Sequence, residues 1–118
     1  MWTYHSETGL LEHNGVTLGR GYSGHGEGLN NSAFEAVHYV GPIPRGLWSI
    51  GSFYTDSEKG PLACILEDKK AVTFGRSGFM IHGDNPEADH SASHGCIILS
   101  RPLRQMIAES GDTSLEVV

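Results

Sequence analysis

At 118 residues, with 38% hydrophobic residues and a formal net charge of −6, the chain can bury one self-sufficient core and is too short for two. Its five arginines and three lysines are scattered rather than clustered, so nothing supplies the basic footprint that nucleic-acid binding requires. No stretch has the length and apolarity of a bilayer span or a signal peptide, so the expectation is a protein made in the cytoplasm, with no membrane insertion, exported only by a route that ignores signal peptides.

In chain order the elements read mainly as strands. Asn14-Gly15 is the strongest short hairpin signal, and it joins Leu10–His13 to Val16–Ser23. The glycines of Tyr22–Asn31 are wrongly spaced for a nucleotide fingerprint and no lysine follows, so this segment reads as a loop after a strand, able to wall a groove through His25. Ser32 and Glu35 are spaced as a capping box for a turn or two of helix through Val37. Gly41–Gly46, with Pro42 and Pro44, makes a rigid bend. Further strands are expected at Leu47–Tyr54, Leu62–Leu66, Val72–Phe74, Phe79–His82 and Ser114–Val117. A helix capped by Ser100 should bury Leu103, Met106 and Ile107 and end near Gly111. The composite is a single domain over residues 1–118, mainly β with short helices.

The two cysteines occupy different settings. Cys64 lies in the apolar "PLACILE" and reads as a small buried hydrophobe. Cys96 follows Ser93-His94-Gly95 in a polar turn, where a reactive thiolate would be placed. A disulfide between them stays open, because spacing alone does not reveal their separation.

Cys96 closes a stretch, "IHGDNPEADHSASHGC", that gathers three histidines and two aspartates with the thiol. His82 ends an apolar strand, and 13 residues separate it from Cys96. That arrangement lets imidazole and thiol meet while the loop between them lines a cleft. A cysteine nucleophile needs an adjacent base, and the base needs an orienting acceptor. The Gly83 carbonyl and the Asp84 carboxylate are the nearest acceptors, and Gly95 allows successive N–H groups to face a developing oxyanion. Three readings remain: cysteine catalysis, a zinc-dependent hydrolase built on His82, Asp84, His94 and Cys96, and a purely structural loop in a noncatalytic binding module whose Cys96 is incidental. The stretch lacks the C-x-x-C or H-E-x-x-H spacing of the strong zinc motifs.

"IHGD" followed by "SASHGCI" resembles the motif of the L,D-transpeptidase catalytic domain family, a strand-borne His-Gly and a downstream Ser/Thr-His-Gly-Cys. "WTYHSETGLLEHNGVTLGRGYSGHG" is similar to that family's opening strands and "GPIPRGLWSIG" to its Thr-Pro-x-Gly-x-Phe-x-Ile element. Through "YSGHG", "GPIP", "GRSGF", "IHGD" and "GCIILSRP" the whole chain resembles the small L,D-transpeptidase effectors of type VI secretion systems.

The resemblance implies an L,D-transpeptidase-like β-sandwich or β-sheet with an open catalytic cleft, Cys96 as nucleophile, His82 as base with Gly83 beside it, and Ser93, His94 and Gly95 as the motif turn. It implies no cofactor and no metal. The substrate would be a peptidoglycan tetrapeptide stem, attacked in the periplasm of a target bacterium, with secretion machinery and a cognate immunity protein as partners. Ile98-Leu99-Ser100 replaces the polar Arg and Asn that commonly follow the cysteine, and the loop after His82 is shorter than usual. Arg76 or Arg101 is therefore expected to take the substrate carboxylate, with Tyr22, His25, Ser77 and Asp84 as further substrate contacts.

Overall fold

The computed structural model describes residues Met1–Val118. Its strands are β1 (Trp2–Tyr4), β2 (Leu10–His13), β3 (Val16–Arg20), β4 (Tyr22–Ser23), β5 (Gly46–Ile50), β6 (Tyr54–Asp56), β7 (Gly60–Ala71), β8 (Met80–His82), β9 (Ile97–Ile98) and β10 (Ser114–Val117), with one helix, α1 (Arg101–Ser110). They form one sheet in the order β3-β2-β1-β10-β5-β7-β8-β9-β4, and β6 pairs with β7 off this path. The two ends of the path, β3 and β4, are consecutive in sequence and separated only by Gly21. One segment thus serves both edges, and the sheet curls into a nearly closed barrel rather than a two-layered sandwich. Gly21 is needed for the closure, because a methyl there would come within 2.0 Å of the Ile98 carbonyl oxygen.

The core fills from alternate residues of these strands. Trp2 and Tyr4 of β1 point inward beside Leu115 and Val117 of β10, their parallel partners. Trp48, Ile50, Cys64, Leu66, Ile81 and Ile97 continue the same cluster, and α1 contributes Leu103 and Ile107.

The Asn14-Gly15 hairpin forms as expected, both residues having the positive φ that a tight two-residue turn requires (50° and 84°). Elsewhere the sequence expectations need correction. Leu47–Tyr54 is two strands, because the chain leaves β5 at Gly51 and re-pairs with the start of β7 as β6. The charged run Glu67–Lys70 does not end a strand but belongs to β7, where its backbone pairs with β5 and its side chains stay exposed. Val72–Phe74 is no strand, since φ turns positive at Phe74 and Gly75. The expected turn of helix after Ser32 is a 3-10 turn at Ser32–Phe34 capped by Asn31; Glu35 instead holds the Arg45 guanidinium. On α1, Met106 is exposed and Arg104 takes the buried position beside Leu103 and Ile107.

Candidate active site

Strand register decides which residues can meet. Across β7, β8 and β9 the partners are Cys64↔Ile81 and Ile81↔Ile97, and on the neighbouring row His82↔Ile98↔Tyr22. Side chains alternate between faces along a strand. Cys64, Ile81 and Ile97 therefore look into the core, and His82, Ile98 and Tyr22 look to the other side. Cys96 precedes β9 by one residue and falls on the His82 side. Both cysteines are free thiols.

His82 is 3% exposed. Its Nδ1 lies 2.8 Å from the Gly83 carbonyl oxygen. A carbonyl only accepts, so Nδ1 carries the proton and Nε2 presents its lone pair. That Nε2 is buried and has no partner in the protein. Of the two acceptors considered from sequence, the Gly83 carbonyl fills the role. Asp84 is turned elsewhere, its Oδ1 accepting from the Tyr22 hydroxyl (2.7 Å) and the Asn85 N–H (2.9 Å).

Cys96 is half-buried, its thiol directed at the Gly78 carbonyl oxygen 3.6 Å away. Burial pushes this thiol above its ordinary value, while the Met80 N–H and the charges of Lys59 and Arg76 pull the other way. Burial likewise holds the His82 imidazole below its ordinary value, against the hydrogen bond from its ring to Gly83. Burial thus disfavours the charged form of each group.

The turn that carries Cys96 is fastened at four successive carbonyls. The Ser93 oxygen faces His25 Nδ1 (2.9 Å), the His94 oxygen accepts from Arg76 Nη2 (3.1 Å), the Gly95 oxygen from the Ser23 hydroxyl (3.1 Å), and the Cys96 oxygen from the Ser93 hydroxyl (2.6 Å). The same Ser93 hydroxyl accepts the Gly24 and Gly95 N–H groups, so its hydrogen-bonding capacity is filled. This corrects the expected row of free amides: the Gly95 N–H is spent inside the turn. Gly95 itself has φ 139°, and a methyl there would meet Arg76 Nη2 at 2.6 Å.

Arg76 departs most from expectation. Its guanidinium gives Nη1 to the Glu35 and Pro42 carbonyls and Nη2 to the Gly41 and His94 carbonyls. It is 8% exposed and clamps the proline bend to the cysteine turn, so it is not available to a substrate carboxylate. Arg101 opens α1 at the surface and does not line the cleft beside His82. Ser77 lies, exposed, in a small hollow with Tyr39 and His94. His25 packs its ring 4.9 Å from that of His94.

Sequence reasoning missed Arg104, which donates Nε to the Leu99 carbonyl and Nη1 to the Pro61 and Leu62 carbonyls, and whose Nη2 would be 2.8 Å from a methyl on Gly83. Its guanidinium lies against Gly83, whose carbonyl faces the His82 ring. Its only cue was an arginine interrupting the apolar face of a helix.

A cleft of about 530 Å³ opens over His82, walled by Glu58–Pro61 on one side and by Asp84–Pro86, Ser91, Ala92 and His94 on the other. The four residues of the zinc reading do not assemble, since no three His, Cys, Asp or Glu side chains converge anywhere in the protein. The arrangement offers a ring nitrogen with a free lone pair that opens on a groove, and a thiol on the same side of the sheet that lies outside the groove's lining. The Tlde1 domain family model matches residues 18–116. No curated protein is a significant match.

Proposed function

The chain belongs to the Tlde1 domain family, type VI secretion effectors that act on the peptidoglycan of target bacteria, and on that premise we propose that it is a cysteine L,D-carboxypeptidase and L,D-transpeptidase of tetrapeptide stems. The observation that carries the chemistry is the buried, unpartnered Nε2 of His82, whose Nδ1 proton is pinned to the Gly83 carbonyl. Such a nitrogen is a general base waiting for a proton.

Cys96 Sγ attacks the carbonyl of the stem's third residue, at the L-centre of its diamino acid, and its proton passes to His82 Nε2. The tetrahedral oxyanion collapses, the C–N bond to D-alanine breaks, and the imidazolium returns the proton to the departing amine. The product is a thioacyl-enzyme. Water as acceptor gives a tripeptide, a free D-amino acid gives an exchanged tetrapeptide, and the side-chain amine of a second stem gives a crosslink. Each acceptor gives up one proton to His82 and regenerates the thiol.

The test is mass spectrometry of muropeptides after incubation with the purified protein. The expected products are tripeptide stems and, with an added D-amino acid, exchanged stems, all abolished by Cys96→Ala. An unchanged stem profile with an active-site thiol that still alkylates would overturn the reading.

A further inference from the structure

The donor proposed above carries a carboxylate on its leaving residue, one residue past the attacked carbonyl. Backbone bond lengths place that carboxyl carbon about 4 Å from the attacked carbon, so whatever recognises it must stand beside Cys96 and His82. Arg76 and Arg104 have their guanidiniums bonded to carbonyls of the protein's own backbone, and Arg101 is outside the cleft. One lysine or arginine lines the cleft over His82, and it is Lys59. It is exposed and takes part in no ion pair.

The turn bearing Lys59 is built to hold still. Asp56 Oδ1 accepts the backbone N–H groups of both Glu58 and Lys59 at 2.9 Å, and its Oδ2 accepts the Tyr54 hydroxyl at 2.7 Å. Gly60, at φ 85°, completes the reversal into β7. The backbone at position 59 is thereby fixed at the rim while the ammonium is left unpaired. Glu58 and Asp84, the other fixed charges of the lining, are both negative. Lys59 is therefore the one lysine or arginine of the lining that a carboxylate can meet. The charge of Lys59 also reaches both Cys96 and His82, lowering the proton affinity of each, while Asp56 of the same turn acts on both in the opposite direction.

From this placement we infer that Lys59 binds the terminal carboxylate of the leaving D-amino acid and makes the enzyme selective for stems that end in a free carboxylate. The inference rests on the proposed cleavage reaction for the identity of the ligand. It is tested by comparing a soluble tetrapeptide stem with the same peptide amidated at its C-terminus, both as substrates and, by calorimetry, as ligands of Cys96→Ala protein. Wild-type protein is expected to prefer the free acid by about tenfold, the value of one charge-assisted hydrogen bond at a partly exposed site. Lys59→Met should collapse that ratio toward one, and Lys59→Arg should restore most of it.

Equal use of acid and amide by the wild type, or an undiminished preference in a folded Lys59→Met, overturns the assignment while leaving cleavage intact. If the wild type releases no D-alanine although Cys96→Ala protein binds the acid with a Lys59-dependent preference, the cleavage reading falls and the carboxylate site stands.

Discussion

At the scale of the residue, two thiols and one imidazole divide between structure and chemistry. Cys64 is fully buried among Ile81 and its neighbours, and burial pushes its thiol up to about 12. Cys64→Ala should cost on the order of 1 kcal/mol of stability, measurable by urea denaturation, with turnover retained. Cys96→Ala should leave the fold unchanged and turnover absent. A folded but inactive Cys64→Ala would show that the wrong thiol has been assigned the chemistry. In the proposed mechanism His82 governs how Cys96 reacts. With His82→Gln, no lone pair receives the thiol proton, and alkylation must await direct ionisation of a half-buried thiol. The iodoacetamide rate of Cys96 should then fall at neutral pH and its midpoint move upward. Matching profiles for wild type and His82→Gln would remove His82 from the mechanism and bring His94 into consideration.

At the scale of the element, the cysteine turn is a buried polar network whose members are mutually satisfied. Ser93→Ala would leave the Gly24 and Gly95 N–H groups and the Cys96 carbonyl without their partner. An unpaired buried group costs about 1–3 kcal/mol, so a loss of roughly 3 kcal/mol is expected. Thermal denaturation measures the loss. Activity at low temperature should fall as well, because the same bonds set the direction of Sγ. Arg104→Met works through a different link: three carbonyls at the junction of β7, β9 and α1 lose their donor, and Gly83 loses the guanidinium packed against it. Its kcat should fall more than its KM rises, since the groove wall survives while the orienting carbonyl of His82 loosens.

At the scale of the whole molecule, burial ties stability to pH on both sides of neutrality. His82 has a folded value below its unfolded one, so the unfolded chain binds more protons between the two. Stability is complete above the ordinary imidazole range and falls as pH drops through it. For Cys64 and Cys96 the folded values are raised. Above the ordinary thiol range the native state keeps protons that the unfolded chain has lost, and stability falls as pH rises. The midpoint temperature should therefore form a dome against pH, and His82→Gln should flatten it through the imidazole range while leaving the fall at lower pH to which Glu35, Asp56 and Asp112 contribute. The proposed substrate also assigns a compartment. Directed to the periplasm of a susceptible Gram-negative bacterium, the protein should impair growth and deplete tetrapeptides in a Cys96-dependent manner, whereas the same chain held in the cytosol should not. Toxicity confined to the cytosolic form would point to another target.

The sequence by itself determined the parts of this protein that depend on local chemistry. Asn14-Gly15 made a hairpin, because few residues other than Asn and Gly accept two successive positive φ angles, and Gly111 ended α1 for the same reason. The placement of His82 at a strand end and Cys96 before a short apolar run was legible too, since periodicity and turn residues lie close together in the chain. What required the tertiary structure was everything decided by partners distant in sequence. β1 was too short to show a period and is a strand because β10, more than a hundred residues away, pairs with it. The barrel closes because β3 and β4 sit at opposite ends of a path that no local pattern encodes. Arg76, read as a surface cation for substrate, is buried under four carbonyls from two distant segments, and Arg104, read as nothing, supports Gly83. A guanidinium looks the same in sequence whether its donors face water or backbone. Only the folded chain decides which carbonyls come within reach, and hence which cations remain free for a ligand.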